Sequence, residues 1–197
     1  PTPESYMNVN VGSKWNYEVI DNAPPPSTSL YSLTSTNRDS TINGNQFHVY
    51  TNSTNGISEY YRISGTDYYT YRSLPAALGG TKVENLYLKT GVAVGTTWNQ
   101  LYNVTYNSFP LAVTVTHKIE EKGISRTVNG TAYNNVIHIK TNITVAGISA
   151  SELTTDIHYY YAPNYGMIEN SSKININYFT IVSSSDVLTK LVSSSLL

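Results

Sequence analysis

Apolar and polar residues alternate with a period of two along most of the chain, which is the pattern of strands with one buried face. Trp15, Tyr17 and Val19 alternate with Lys14, Asn16 and Glu18, and Leu111, Val113, Val115 and Ile119 share one face. Ile137, Ile139, Ile143 and Val145 stand against His138, Lys140, Asn142 and Thr144. Leu153, Ile157, Tyr159 and Tyr161 stand against Thr154, Asp156, His158 and Tyr160. Turn signals separate these runs. The clearest is Asn43-Gly44, because Asn-Gly accepts the positive φ values of a two-residue hairpin turn; Asn55-Gly56, Ser64-Gly65, Asn107-Ser108-Phe109-Pro110, Lys122-Gly123 and Asn129-Gly130 are others. Strands are therefore predicted over 14–19, 30–41, 46–52, 57–63, 68–72, 83–89, 97–106, 111–120, 124–128, 133–145, 153–161 and 167–182. Leu74 to Gly80, apolar but rich in Pro and Gly, is the longest expected loop, with room for one helical turn. Val187 to Val192 suits a last strand or a helix capped by Ser183 to Asp186, and its β-branched content favours the strand. Together these features predict an all-β domain of about 12 to 14 antiparallel strands, arranged as a curved sheet, an open barrel or a sandwich.

The same pattern fixes one register. If the turn after Val145 centres near Ser149, directly opposed residues are His138 with Tyr160 and Lys140 with His158, because a one-residue slip would set apolar against polar.

Val11-Gly12-Ser13-Lys14-Trp15-Asn16 is echoed by Val94-Gly95-Thr96-Thr97-Trp98-Asn99, and these two phrases hold both tryptophans of the chain. Ile42-Asn43-Gly44 answers to Val128-Asn129-Gly130, and Tyr60-Tyr61 before Gly65 answers to Tyr159-Tyr160-Tyr161 before Gly166. Residues 11–197 are therefore expected to form a single domain of two related halves, about 11–90 and 91–197, after a flexible leader over 1–10.

Composition changes this picture in two ways. Charged residues make up 13% of the 197, with a formal net charge of −1, about half the usual charged share. No field steers such a chain to nucleic acid or an anionic surface, so nucleic acid is excluded as a partner. Cysteine is absent, which removes disulfides, thiolate metal sites and cysteine nucleophiles together. No apolar run approaches the ~20 residues of a spanning helix.

Candidate chemistry is sparse. Among the four histidines no pair has the i,i+4 spacing of a zincin helix, and His138 with His158 lacks a well-placed carboxylate in the sequence, so no metal and no cofactor is predicted. No Gly-x-Ser-x-Gly elbow and no flanked carboxylate pair occurs, so no catalytic residue is predicted and the chain is read as a non-enzyme. The 18 tyrosines include three clusters that place rings on both faces of their strands. One set is expected in the core. The other meets solvent, a ligand or a partner, or simply serves as β-former on a low-charge surface. The candidate ligand-binding patch is His138, Lys140, His158 and Tyr160, with an ordinary solvated sheet face as the alternative.

Val11-Gly12-Ser13-Lys14-Trp15-Asn16-Tyr17, Gly95-Thr96-Thr97-Trp98 and Tyr159-Tyr160-Tyr161-Ala162-Pro163-Asn164-Tyr165-Gly166 resemble uncharacterised secreted or lipid-anchored proteins of Bacteroidetes-type bacteria. Those chains carry Gly-x-x-Trp-x-Tyr early and Tyr-Tyr-Ala with a closing Gly late. The resemblance implies an extracytoplasmic, mainly antiparallel β protein, periplasmic, secreted or anchored to the outer membrane, with membrane association only through an N-terminal lipid anchor on a cysteine lost with the leader, and it carries over no catalytic residue. The function expected is binding of a lipid-like or glycan ligand in the concave face of the sheet. The alternatives are an assembly module contacting another protein through a Tyr-rich face and, third, a hydrolase.

Overall fold

In the computed structural model, residues 4–54, 56–106, 108–179 and 181–197 are described, and the side chain of Phe109 is left aside. The expectations at Pro1 to Pro3, Asn55 and Asn107 lie outside the described residues. The alternating runs become β1 (Lys14–Asp21), β2 (Ser27–Ile42), β3 (Asn45–Asn52), β4 (Ile57–Ser64), β5 (Asp67–Ser73) and β6 (Lys82–Lys89). After these come β7 (Thr97–Tyr106), β8 (Phe109–Val128), β9 (Thr131–Val145), β10 (Leu153–Ala162), β11 (Gly166–Tyr178) and β12 (Ile181–Ser195). The predicted helical turn is a 3-10 turn at Ala76–Leu78.

All twelve strands form one antiparallel sheet in the order β6-β5-β4-β3-β2-β1-β12-β11-β10-β9-β8-β7. The sheet curls until its two edges, β6 and β7, face each other across a seam with no backbone ladder among the described residues. Side chains of β7 cross it instead. Trp98 Nε1 donates to the Leu86 carbonyl at 2.7 Å, Tyr102 Oη to the Glu84 carbonyl at 2.8 Å, and the Leu86 N–H donates to Gln100 Oε1 at 2.8 Å. These bonds occupy edge groups that would otherwise pair with a foreign strand.

A barrel of eight strands is filled by its own side chains, whereas sixteen leave a channel. Twelve therefore leave an interior that side chains only partly fill. Two apolar clusters line it. One gathers Trp15, Tyr17, Leu33, Tyr50, Tyr87, Ile137, Ile139, Tyr161 and Leu191, the other Leu78, Val104, Val113, Val115, Ile143, Leu153, Ile157 and Ile176, and Tyr159 touches both.

Three sequence expectations need correction. The separate strands at 111–120 and 124–128 are one strand, β8, because Lys122-Gly123 forms irregularities within the ladder to β9 rather than a turn. The strand expected over 167–182 ends at Tyr178, and β12 begins at Ile181 and runs through Ser183 to Asp186 into the preferred last strand at Val187 to Val192, not into the alternative capped helix. Within the expected flexible leader, Ser5 to Asn8 are packed: Tyr6 and Met7 are buried in the first cluster, while Val9 and Asn10 are exposed. Tyr6 Oη donates to the Asn135 carbonyl at 2.7 Å, and Tyr50 Oη donates to the Asn8 carbonyl at 2.6 Å.

Candidate functional site

The outer face of β9 and β10 carries the predicted patch. The ladder opposes His138 to Tyr160 and Lys140 to His158, and all four side chains point away from the interior that Ile137, Ile139 and Tyr161 help to fill. The patch therefore lies outside the concavity in which a ligand was expected. Its two imidazoles are linked in a chain. Glu121 Oε2 lies 2.9 Å from His138 Nδ1, His138 Nε2 lies 2.9 Å from His158 Nδ1, and His158 Nε2 lies 2.9 Å from Asp156 Oδ1. Three such bonds need three N–H groups on four ring nitrogens, one more than two neutral imidazoles supply. The complete chain thus holds one extra proton, and when both rings are neutral one link opens. Burial pushes the His138 imidazole below its ordinary value, which the bond to Glu121 partly offsets. The hydrogen bond from His158 holds the Asp156 carboxyl low.

Tyr160 is sandwiched, with the His138 ring stacked at 4.3 Å on one side and the Arg126 guanidinium 3.4 Å from its ring centre. Arg126 in turn pairs with Glu169 at 2.6 Å, and Lys140 lies 3.8 Å from Asp156. Sequence reasoning missed Glu121, Arg126 and Glu169. Glu121 reaches this face because a register shift between Ile119 and Glu121 turns an odd-numbered residue outwards, and no local signal marks that shift. Among the described residues no group of three or more His, Asp or Glu side chains is arranged to hold a metal ion. The patch satisfies itself, so its removal should cost stability. Stacking and the cation–π contact are each worth about 1 kcal/mol, and replacing both His158 and Tyr160 by Ala should lower the urea-unfolding free energy by roughly 1–3 kcal/mol. A change under ~0.5 kcal/mol would mean that the four side chains stand free in solvent.

The interior holds two chambers. The first, about 670 Å³ counting its open mouth, is walled by aromatic rings, among them Trp15, Tyr17, Tyr50, Tyr61, Tyr87 and Tyr161. Burial raises the phenols of Tyr17, Tyr61 and Tyr161 well above their ordinary value, so they stay neutral. Glu59 reaches this chamber but accepts from Asn52 Nδ2 at 2.7 Å and Tyr61 Oη at 2.9 Å. The buried Trp15 Nε1 has no acceptor among the described residues. The second chamber, about 760 Å³ on the same measure, is the roomier, and its walls are largely aliphatic: Leu74, Val83, Val115, Ile143, Ile157 and Ile174. Arg72 and Tyr159 border both chambers. Arg72 Nη2 donates to Tyr159 Oη at 3.1 Å. Arg72 keeps accessible surface while lining both chambers.

Behind the second chamber His117, 1% exposed, places Nδ1 2.8 Å from Thr141 Oγ1 and Nε2 3.0 Å from Asn85 Oδ1. A hydroxyl on an imidazole oriented by an amide has the connectivity of a nucleophile, base and orienting group. Burial, aided by the Arg72 charge, lowers this imidazole to about 3, so it is a poor proton acceptor at neutral pH. Its bonds instead satisfy three buried polar side chains. Nor is the Tyr-rich outer surface a flat exposed patch: Tyr60, Tyr69 and Tyr71 are half-buried, with Tyr71 against Phe47 and Arg62 against both Phe47 and Tyr69.

No family model and no curated protein sequence matches the chain. Two solved structures are similar to it over nearly their whole lengths. One is a candidate lipoprotein of Parabacteroides distasonis, 12% identical, with a TM-score of 0.59 over 98% of this chain and 99% of that one. The other is a candidate exported protein of Bacteroides fragilis with a YmcC-like fold, 8% identical, with a TM-score of 0.48 over the same shares. At such identity the first likeness is one of fold: a twelve-stranded antiparallel sheet curled almost into a barrel.

Proposed function

We propose that this protein is a non-catalytic, extracytoplasmic binding protein that holds a small amphipathic molecule inside its barrel. The observation that carries the reading is the pair of interior chambers meeting at Arg72 and Tyr159, with walls otherwise uncharged except for Glu59, which is engaged by Asn52 and Tyr61. Ligand sites are typically concave, mostly apolar and supplied with a few polar groups that fix orientation, and the lumen meets that description where the outer His138–Tyr160 patch does not. The description of the Parabacteroides protein as a candidate lipoprotein supports placement outside the cytoplasm.

The test is saturable binding of lipid-like and glycan probes to the purified chain, repeated with Val83→Trp. Val83 sits half-buried at the edge of the aliphatic chamber, so an indole there should fill the space and weaken binding at least about tenfold, or ~1.4 kcal/mol. Undiminished binding in that variant would place the ligand elsewhere.

A further inference from the structure

We propose that the ligand is an amphipathic monocarboxylic acid, its head held by Arg72 and Tyr159 and its hydrocarbon chain lying in the aliphatic chamber. This rests on the lumen being the binding site. All 13 acidic residues are among the described ones, and none lies within 4.0 Å of Arg72. Interior-facing Arg72 is thus set apart from Arg62 and Arg126, which pair with Glu84 and Glu169. A guanidinium stays charged at any ordinary pH and carries five N–H donors, and the single bond to Tyr159 leaves most of them uncommitted. An enclosed, low-dielectric site strengthens any ion pair formed there, and the planar fork matches a carboxylate through two parallel bonds.

Tyr159 fits the same head. Its oxygen accepts from Arg72, so its own hydrogen is free to donate to a second acceptor. Among the described residues no other cation lines either chamber, so one negative charge is what the site can neutralise. The chain's place follows from the aliphatic walls. Asn85 Oδ1 and Thr141 Oγ1, on those walls, are both engaged by the His117 ring.

The experiment is calorimetric titration of the delipidated full chain with decanoate, decyl phosphate and decan-1-ol, using wild type, Arg72→Gln and Tyr159→Phe. A charge-assisted pair is worth about 1.5–3 kcal/mol, which is roughly a 10- to 100-fold change in affinity. Decanoate should bind wild type tighter than decan-1-ol by that factor. R72Q should lose that advantage and bind decan-1-ol as wild type does, which also reports that the variant is folded. Y159F should weaken decanoate by a smaller factor. Equal affinity for decanoate and decan-1-ol in wild type, or unchanged decanoate binding in R72Q, leaves the lumen reading standing and overturns the carboxylate anchor. Decyl phosphate binding tighter than decanoate overturns the monocarboxylate head. No binding of any probe to wild type overturns the anchor and the lumen reading together. Should R72Q not fold, the wild-type comparison and Y159F decide.

Discussion

Stability should fall as pH drops below about 6.5 and keep falling towards about 3, with His117 as a main cause. The imidazole's folded value is depressed to about 3 from the ordinary 6.5, so between those values the unfolded chain binds a proton that the native protein refuses. Stability from this group is fully present above the unfolded value and is lost as pH falls through the window. Each pH unit there is worth up to ~1.4 kcal/mol, so unfolding free energy at pH ~5 should lie about 2 kcal/mol below that at pH ~7.5. His138, also depressed, adds to the same limb with the same sign. The carboxyls of Glu120, Asp156 and Asp186 are held low as well, but their contribution is lost only once the carboxyls of the unfolded chain protonate, below about pH 5. The window between ~6.5 and ~5 therefore isolates the imidazoles. His117→Gln keeps a donor and an acceptor but cannot titrate, and urea unfolding at the two pH values should show less than half the wild-type difference. A variant as acid-sensitive as wild type would assign the slope to other groups.

Strand positions were legible because strict alternation leaves one choice of face. The pairing of His138 with Tyr160 followed from Ile137 and Ile139 on one strand and Tyr159 and Tyr161 on the other, and the structure has that register. What alternation cannot supply is which polar residues turn inward. His117 lies in phase with Val113 and Val115, and Arg72 in phase with Tyr68 and Thr70, yet a strand pattern treats an occasional polar residue on the apolar face as noise. Inside a twelve-stranded barrel those exceptions mark the lumen. Ladder irregularities were equally silent: the shift at Glu121 and the merging of two expected strands into β8 depend on non-local pairing with β9. Compositional reasoning also misjudged the start of the chain, since Pro1 to Ser5 look like a flexible leader and hide the two apolar residues that follow.

Deleting the chain up to Val9 should therefore destabilise the protein severely rather than trim a disordered end. Tyr6 is 8% and Met7 9% exposed, and burial of each large side chain is worth about 1.5–3 kcal/mol. The segment also satisfies groups of the barrel itself. Its Ser5 carbonyl accepts the Asn164 N–H at 2.7 Å, its Asn8 carbonyl accepts from Tyr50 Oη, and its Tyr6 N–H donates to Tyr68 Oη at 3.1 Å. With the segment gone, water must reach these groups, at Tyr50 and Tyr68 by entering the aromatic end of the barrel that Tyr6, Met7 and Asn8 cover. The combined loss is roughly 4–8 kcal/mol, comparable with the whole stability of a domain this size. The truncated chain should melt far below the full one and bind a dye such as anilinonaphthalene sulfonate where the full chain does not. Replacing Tyr6 and Met7 together by Ser, with the chain length kept, should give most of the same effect, because the side chains rather than the tether hold the segment. A truncated protein melting within a few degrees of the full chain would show that the barrel closes its aromatic end without the segment.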